Sequence, residues 1–134
     1  MIKKTFYITT PIYYVNGDPH MGHAYTTIAC DVMARFKRLD GFDVRFLTGT
    51  DEHGIKVDQA ARAAGIPAQQ FTDQVAELFK AIVPTLNISN DDFIRTTEAR
   101  HKKGAQAFWE AIAASGNIYK GGYSGWYAVR DEAY

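Results

Sequence analysis

The run Thr9-Thr10-Pro11-Ile12-Tyr13-Tyr14-Val15-Asn16-Gly17-Asp18-Pro19-His20-Met21-Gly22-His23 decides how the rest of the chain is read. Ahead of it, Thr5-Phe6-Tyr7-Ile8 is aromatic and β-branched, the composition of a strand. Behind it, apolar or small side chains at Met21, Tyr25, Ile28, Ala29, Val32, Phe36 and Leu39 recur every three or four residues. That spacing predicts a helix with this stripe lying on a sheet, basic residues Arg35, Lys37 and Arg38 near its end, and Gly41 just beyond it. The run is therefore a strand-to-helix turn. In an open α/β sheet such a turn sits at the carboxyl edge, where ligands bind, and the helix aims free N–H groups and a positive dipole end at them. An anionic ligand suits that place.

His20-Met21-Gly22-His23 adds chemistry to the turn. Each imidazole can donate a hydrogen bond to a phosphate oxygen, and Gly22, lacking Cβ, lets a nucleotide approach the backbone closely. The plain structural alternative is two histidines satisfied by neighbours at a helix start. Further along, Val44-Arg45-Phe46-Leu47-Thr48 reads as the next strand, which makes a βαβ unit with parallel strands. Its end carries Thr48-Gly49-Thr50-Asp51-Glu52-His53-Gly54 to the same sheet edge as the first turn. Asp51 has two readings there: a cap for a helix beginning near Ile55, or a counter-charge for a cationic ligand group.

The remainder reads as covering helices and one more strand. An alanine-rich helix runs to Gly65; a second follows Pro67 with Phe71, Val75, Leu78, Phe79 and Ile82 on one face, and Pro84 ends or kinks it. Asp91 to Arg95 reads as a strand entry, with the paired carboxylates of Asp91 and Asp92 in a turn or capping role rather than on a metal. Thr97 is placed to cap a helix over 98–115 that buries Ala105, Phe108, Trp109 and Ile112 and ends at Gly116. Its run Arg100-His101-Lys102-Lys103 reads as a solvated face, with a nucleic-acid contact as the alternative. Residues 118–123 and 126–129 look like the strands of a hairpin around Gly121-Gly122.

With 134 residues, 46% hydrophobic and 13% aromatic, the chain suits one globular domain with a real core. Fifteen basic residues balance fifteen acidic ones, which leaves no broad electrostatic footprint for nucleic acid. The single cysteine, Cys30, excludes an internal disulfide and reads as a buried structural thiol. The segment Met1-Ile2-Lys3-Lys4-Thr5 lacks an apolar stretch behind its charges, and no window approaches eighteen uninterrupted apolar residues, so a cytoplasmic protein without a membrane partner is expected.

The first run, with its His-x-Gly-His, and the stretch Thr48 to Gly54 resemble class I aminoacyl-tRNA synthetases, and among them the methionyl-tRNA synthetases; the resemblance covers essentially the whole chain. It implies an α/β fold, the amino-terminal half of a Rossmann-like parallel sheet with flanking helices over 1–117, and the beginning of a connective-peptide insertion over 118–134. It implies that His20 and His23 are catalytic, that Asn16, His20, Gly22 and His23 bind ATP, and that Ile12, Tyr14 and Asp51 bind methionine, Asp51 through the ammonium group. The implied reaction is ATP-dependent, with Mg²⁺ arriving on the ATP, and ends in transfer of methionine to tRNA(Met), whose contacts lie mostly outside this chain. Where many family members continue the Trp-Tyr pair with Cys-x-x-Cys, this chain has Ala128-Val129-Arg130-Asp131, so no structural zinc is expected here. A Lys-Met-Ser-Lys-Ser loop and an anticodon-binding domain are missing, so the chain is expected to be an amino-terminal portion, inactive in isolation. Rival readings are a small-molecule nucleotidyltransferase, a synthetase for leucine, isoleucine or valine, and a noncatalytic folding or interaction piece.

Overall fold

The computed structural model describes residues 4–128, 130, 131, 133 and 134. Residues 1–3 of the amino-terminal segment, and Val129 within the expected strand 126–129, lie outside the described residues. The chain packs as two units, one through Lys102 and one from Lys103 to Tyr134.

The first unit is built on a parallel sheet. Strand β1 (Thr5–Thr9) leads through a break to the two-residue β2 (Tyr13–Tyr14), then helix α1 (Met21–Leu39) and strand β3 (Asp43–Asp51). Helices α2 (Ile55–Ala64) and α3 (Ala68–Thr85) follow, then β4 (Asp92–Arg95) and the start of α4 (Ala99–Ala114). β3 is central: Thr5 to Thr9 pair with Asp43 to Leu47, Tyr13 and Tyr14 with Thr50 and Asp51, and Asp92 to Arg95 with Leu47 to Thr50, all parallel. Thr50 pairs with both Tyr13 and Arg95, so β1 and β2 lie along one edge of β3 and β4 along the other. The βαβ unit read from the sequence is present, and β2 is an element that two residues could not announce.

Strand alternation sorts the sheet into two faces. Phe46, Thr48 and Thr50 are buried beneath the helices, with Tyr13 and Val15 beside them. One core cluster joins Tyr13 and Val15 to Val57, Val75 and Phe79, and a second joins Ala34, Phe46 and Ile88, with Ile8, Cys30, Val44 and Val83 against it. β3 and β4 approach closely at Gly49, where a Cβ would stand 2.0 Å from the Ile94 carbonyl oxygen. The Cys30 thiol lies partly buried against the second cluster, 3.6 Å from the Thr9 carbonyl, and its burial raises the thiol above its ordinary value.

Five expectations need correction. The period of α1 is helical as read, but its phase is not: Met21 and Leu39 are 84% and 89% exposed, while Thr27, Asp31 and Ala34 are the buried residues. Two of these three inward residues are polar, and their partners lie far away in sequence. Thr27 meets the Tyr13 hydroxyl at 2.8 Å, and Asp31 accepts from the Ser89 N–H and hydroxyl at 2.7 and 2.6 Å. Leu78 on α3 is likewise exposed, and Thr72 and Ala76 complete that helix's buried face.

Thr97 does not cap α4, which begins at Ala99; its hydroxyl donates to Glu52 instead. No residue of α4 is buried, Phe108 and Trp109 included. In the second unit residues 118–127 form no strand, and an isolated antiparallel bridge joins Ala128 to Ala133. Tyr134 there meets Tyr123 and Tyr127 ring to ring, at 4.9 and 5.1 Å between centroids. These aromatic contacts replace the expected hairpin.

Candidate functional site

The first turn of α1 is closed by its own histidines. His20 is the N-cap, in extended conformation, and its Nδ1 accepts from the Gly22 N–H at 3.1 Å. Reciprocally, the His23 Nδ1 accepts from the His20 N–H at 3.1 Å. This is a capping box with imidazoles in place of the usual hydroxyl and carboxyl groups. Because both Nδ1 atoms act as acceptors, each neutral ring must carry its proton on Nε2, the nitrogen the cap does not use. The rings lie 3.9 Å apart between centroids. A Cβ on residue 22 would meet the His20 Cε1 at 2.9 Å, so glycine here makes room for the capping ring itself.

His23 is held from the sheet side by residues that sequence reasoning passed over. Tyr13 stands edge-on to it at 4.7 Å and stacks on Phe79 at 5.6 Å, while Phe79 approaches His23 at 5.0 Å. The in-out alternation of Tyr13, Tyr14 and Val15 carried a signal for the buried tyrosine; Phe79 comes from α3 with no local sign of its contact. Burial within this aromatic box pushes the His23 imidazole below its ordinary value, and the neighbouring His20 ring pushes the same way.

In front of the turn is a cleft of about 490 Å³ lined by Pro11, Ile12, Tyr13, Tyr14, Asn16, Gly17, Asp18, His20, Gly22, His23 and Thr26. It gathers six of the seven residues singled out from sequence: Ile12, Tyr14, Asn16, His20, Gly22 and His23. Asp18 and Thr26 were not singled out, and their neighbours in sequence gave no reason to do so.

Asp51 does not line this cleft. It sits in register beside Tyr14 on the adjoining strand, so the two side chains leave the sheet on the same face. Its carboxylate accepts from the His53 N–H at a long 3.4 Å. Gly54, with φ +119°, occupies the N-cap of α2 without a side-chain cap bond, which removes the helix-cap reading of Asp51. The next residue, Glu52, is enclosed: Arg95 donates to both its carboxylate oxygens, Nε to Oε1 at 2.6 Å and Nη2 to Oε2 at 2.9 Å. Burial works to raise the Glu52 carboxyl, but the hydrogen bonds from Arg95, Thr97 and Thr50 and the Arg95 charge hold it below the usual range. Among the described residues no group of three or more histidine, cysteine or acidic side chains is placed to hold a metal ion, and no helix is long and apolar enough to cross a membrane.

The sequence profile described as tRNA synthetases class I (M) matches residues 6–134. This chain belongs to the class I tRNA synthetase family. Among curated relatives of this class I synthetase chain, the methionine–tRNA ligase of Rickettsia conorii is 62% identical over 99% of the chain, and that of Brucella suis 59% over 100%. The chain spans 26% of the length of each of these relatives. The Mycobacterium tuberculosis methionyl-tRNA synthetase, solved in complex with methionyl-adenylate, superposes with a TM-score of 0.90 at 55% identity, over 96% of this chain and 25% of that one. The agnB2 LeuRS of Agrobacterium radiobacter K84 shares the fold alone, with a TM-score of 0.78 at 24% identity over 87% of this chain and 15% of that one. The parallel sheet with flanking helices is thus that of a class I synthetase catalytic domain, as read from the sequence.

Proposed function

We propose that this class I synthetase chain is the amino-terminal part of the catalytic domain of a methionine–tRNA ligase, with residues 1–117 in the Rossmann-like half and 118–134 opening a connective-peptide insertion. In the reaction, a methionine carboxylate oxygen attacks the α-phosphorus of ATP, supplied as its Mg²⁺ complex. The bond to the β-phosphate oxygen breaks, leaving methionyl-adenylate and pyrophosphate. A terminal ribose hydroxyl of tRNA(Met) then attacks the methionyl carbonyl and takes the methionyl group, the acyl–phosphate bond breaking to release AMP. The setting is the cytoplasm, where these substrates meet.

The reading is carried by one observation: a helix N-terminus whose reciprocal cap leaves two Nε2–H donors at a nucleotide-sized cleft. Phosphoryl chemistry of this kind is accelerated mainly by positioning and by donors aimed at charge developing on phosphate oxygens. His20 and His23 serve as those donors in the neutral form. Gly22 admits the His20 ring, and Asn16 contributes a polar edge to the ATP site. Ile12 and Tyr14 wall the methionine side, and Asp51, adjoining Tyr14 on the outer strand face, takes the ammonium group.

Amino-acid-dependent exchange of pyrophosphate into ATP by the complete enzyme tests the reading. Methionine alone among the twenty amino acids is expected to support exchange. His23→Ala should slow it by about 10²–10³-fold, the usual loss for one transition-state donor, with little change in methionine affinity. Asp51→Ala should chiefly raise the methionine KM. Exchange with another amino acid, or normal exchange by His23→Ala, would remove the assignment.

A further inference from the structure

Glu52 has no role in the reaction above, yet its side chain has no solvent exposure and is held by four hydrogen bonds from three residues. Arg95 grips both carboxylate oxygens from β4; the Thr50 hydroxyl donates to Oε1 at 2.8 Å, and the Thr97 hydroxyl donates to Oε2. The Glu52 N–H in turn donates to the Thr96 hydroxyl at 2.9 Å, and Arg95 reaches on to Asp73 of α3 at 2.5 Å. Enclosing two charges is no economical way to gain stability, since well-packed apolar residues of the same volume do as well or better. What such a bracket supplies is a fixed direction for the chain that carries it.

That direction matters at the neighbouring residue. β3 ends at Asp51, whose pairing with Tyr14 sets the face its side chain leaves on, and Glu52, the first residue beyond the strand, is pinned beside Thr50 of the opposite, covered face, which fixes the backbone that carries Asp51. Asp51 itself has little to hold it, only the long bond from the His53 N–H being found among its described side-chain contacts. The backbone sets its aim, and Glu52 sets the backbone. We propose that Glu52, clamped by Arg95, is a positioning residue that aims the Asp51 carboxylate at the ammonium group of the amino-acid substrate. The inference rests on the reading of Asp51 given under Proposed function.

The test compares Glu52→Gln and Arg95→Lys with the wild type in the complete enzyme. It uses pyrophosphate exchange, inhibition constants for two methionine analogues, and thermal melting. Methioninol keeps the ammonium group; 4-(methylthio)butanoate keeps the thioether and the carboxylate but has hydrogen in place of nitrogen. For Glu52→Gln the methionine KM should rise about tenfold or more, as when one charged hydrogen bond is lost, with kcat and the ATP KM within about twofold. Methioninol inhibition should weaken in parallel and that of the butanoate should stay put. Arg95→Lys should shift the same quantities in the same direction, because a lysine ammonium cannot make the two-pronged contact. It also stands as the readout should Glu52→Gln fail to fold.

A methionine KM near the wild-type value in a folded variant would overturn the inference. So would a uniform decline of kcat and both KM values that follows the melting temperature, or equal weakening of both analogues. Absence of methionine-dependent exchange in the wild type would instead overturn the functional reading itself, before any variant is compared.

Discussion

A histidine that caps a helix gives one ring nitrogen to the backbone, and the nitrogen it gives determines what remains for chemistry. In His20 and His23 the committed atom is Nδ1 in both rings, so protonation of either would set an N–H against an N–H and open the cap. The resemblance indicates that these two residues matter; the composition of the motif could not say that Nε2 would be the nitrogen left free in each ring, because the capping bonds are a property of the turn. His20→Asn should separate the two duties. Asparagine caps well, so thermal stability should fall by less than about 1 kcal/mol while adenylate formation drops by about 10²-fold or more. Gly22→Ala should cost both, since the added methyl displaces the His20 ring; circular dichroism melts and exchange assays on the same preparations would show the joint loss. The depressed His23 value has a definite sign in stability: the folded state binds the proton less tightly than the unfolded one. This contribution is intact above the ordinary histidine value near 6.5 and is lost as pH falls through it toward the lowered folded value, and His23→Phe should flatten that slope.

Elements show where local pattern informs and where it stops. The strand at 5–9, the helix from 21, the strand through 47 and the break at Gly65 follow from β-branching, period and glycine, all local signals. The phase of α1 does not, because what turns Thr27 and Asp31 inward is Tyr13 and Ser89, fourteen and fifty-eight residues away. The two-residue β2 owes its strand geometry to the end of β3, and Thr97 is drawn off its expected cap by Glu52. Between β3 and β4 a single side-chain atom is excluded by backbone: Gly49→Ala would bring Cβ to 2.0 Å from the Ile94 oxygen and 2.6 Å from Ile94 Cγ2. Forced apart, the strands should lose about 3 kcal/mol or more, measurable by urea denaturation. Tyr13→Phe, which removes the bond to Thr27 but keeps the ring against His23, should cost only about 1 kcal/mol.

At the scale of the first unit, polar brackets tie helices to strands as much as apolar packing does. Asp31 holds Ser89 and Arg35, and Asp91 receives the Phe46 N–H at 2.6 Å and Arg38 at 2.9 Å. Glu52 gathers β3, β4 and the turn after it. Asp31, Glu52, Asp73 and Asp92 are all held below their ordinary values. For Asp31 and Glu52 hydrogen bonds outweigh the opposing effect of burial, while for Asp73 and Asp92 the leading causes are the bonds from Arg95 and Arg100. Each such group adds stability that is present above its unfolded value near pH 4 and lost as pH falls through the folded one. Melting temperature should therefore decline steeply below about pH 4. The decline should be shallower in Asp31→Asn, where one of those linked protons has been removed.

In the function proposed above, the histidine pair at the head of α1 and the carboxylate at the end of β3 serve one ligand from two crossovers of the same sheet. The most direct measurement is a crystal structure of the complete enzyme with a non-hydrolysable methionyl-adenylate analogue. The expected result is both Nε2 atoms within about 3 Å of analogue oxygens at the phosphate position, both Nδ1 atoms still on their backbone donors, and the Asp51 carboxylate on the ammonium group. An analogue bound away from the His20–His23 turn, or an ammonium group met by a residue other than Asp51, would contradict it.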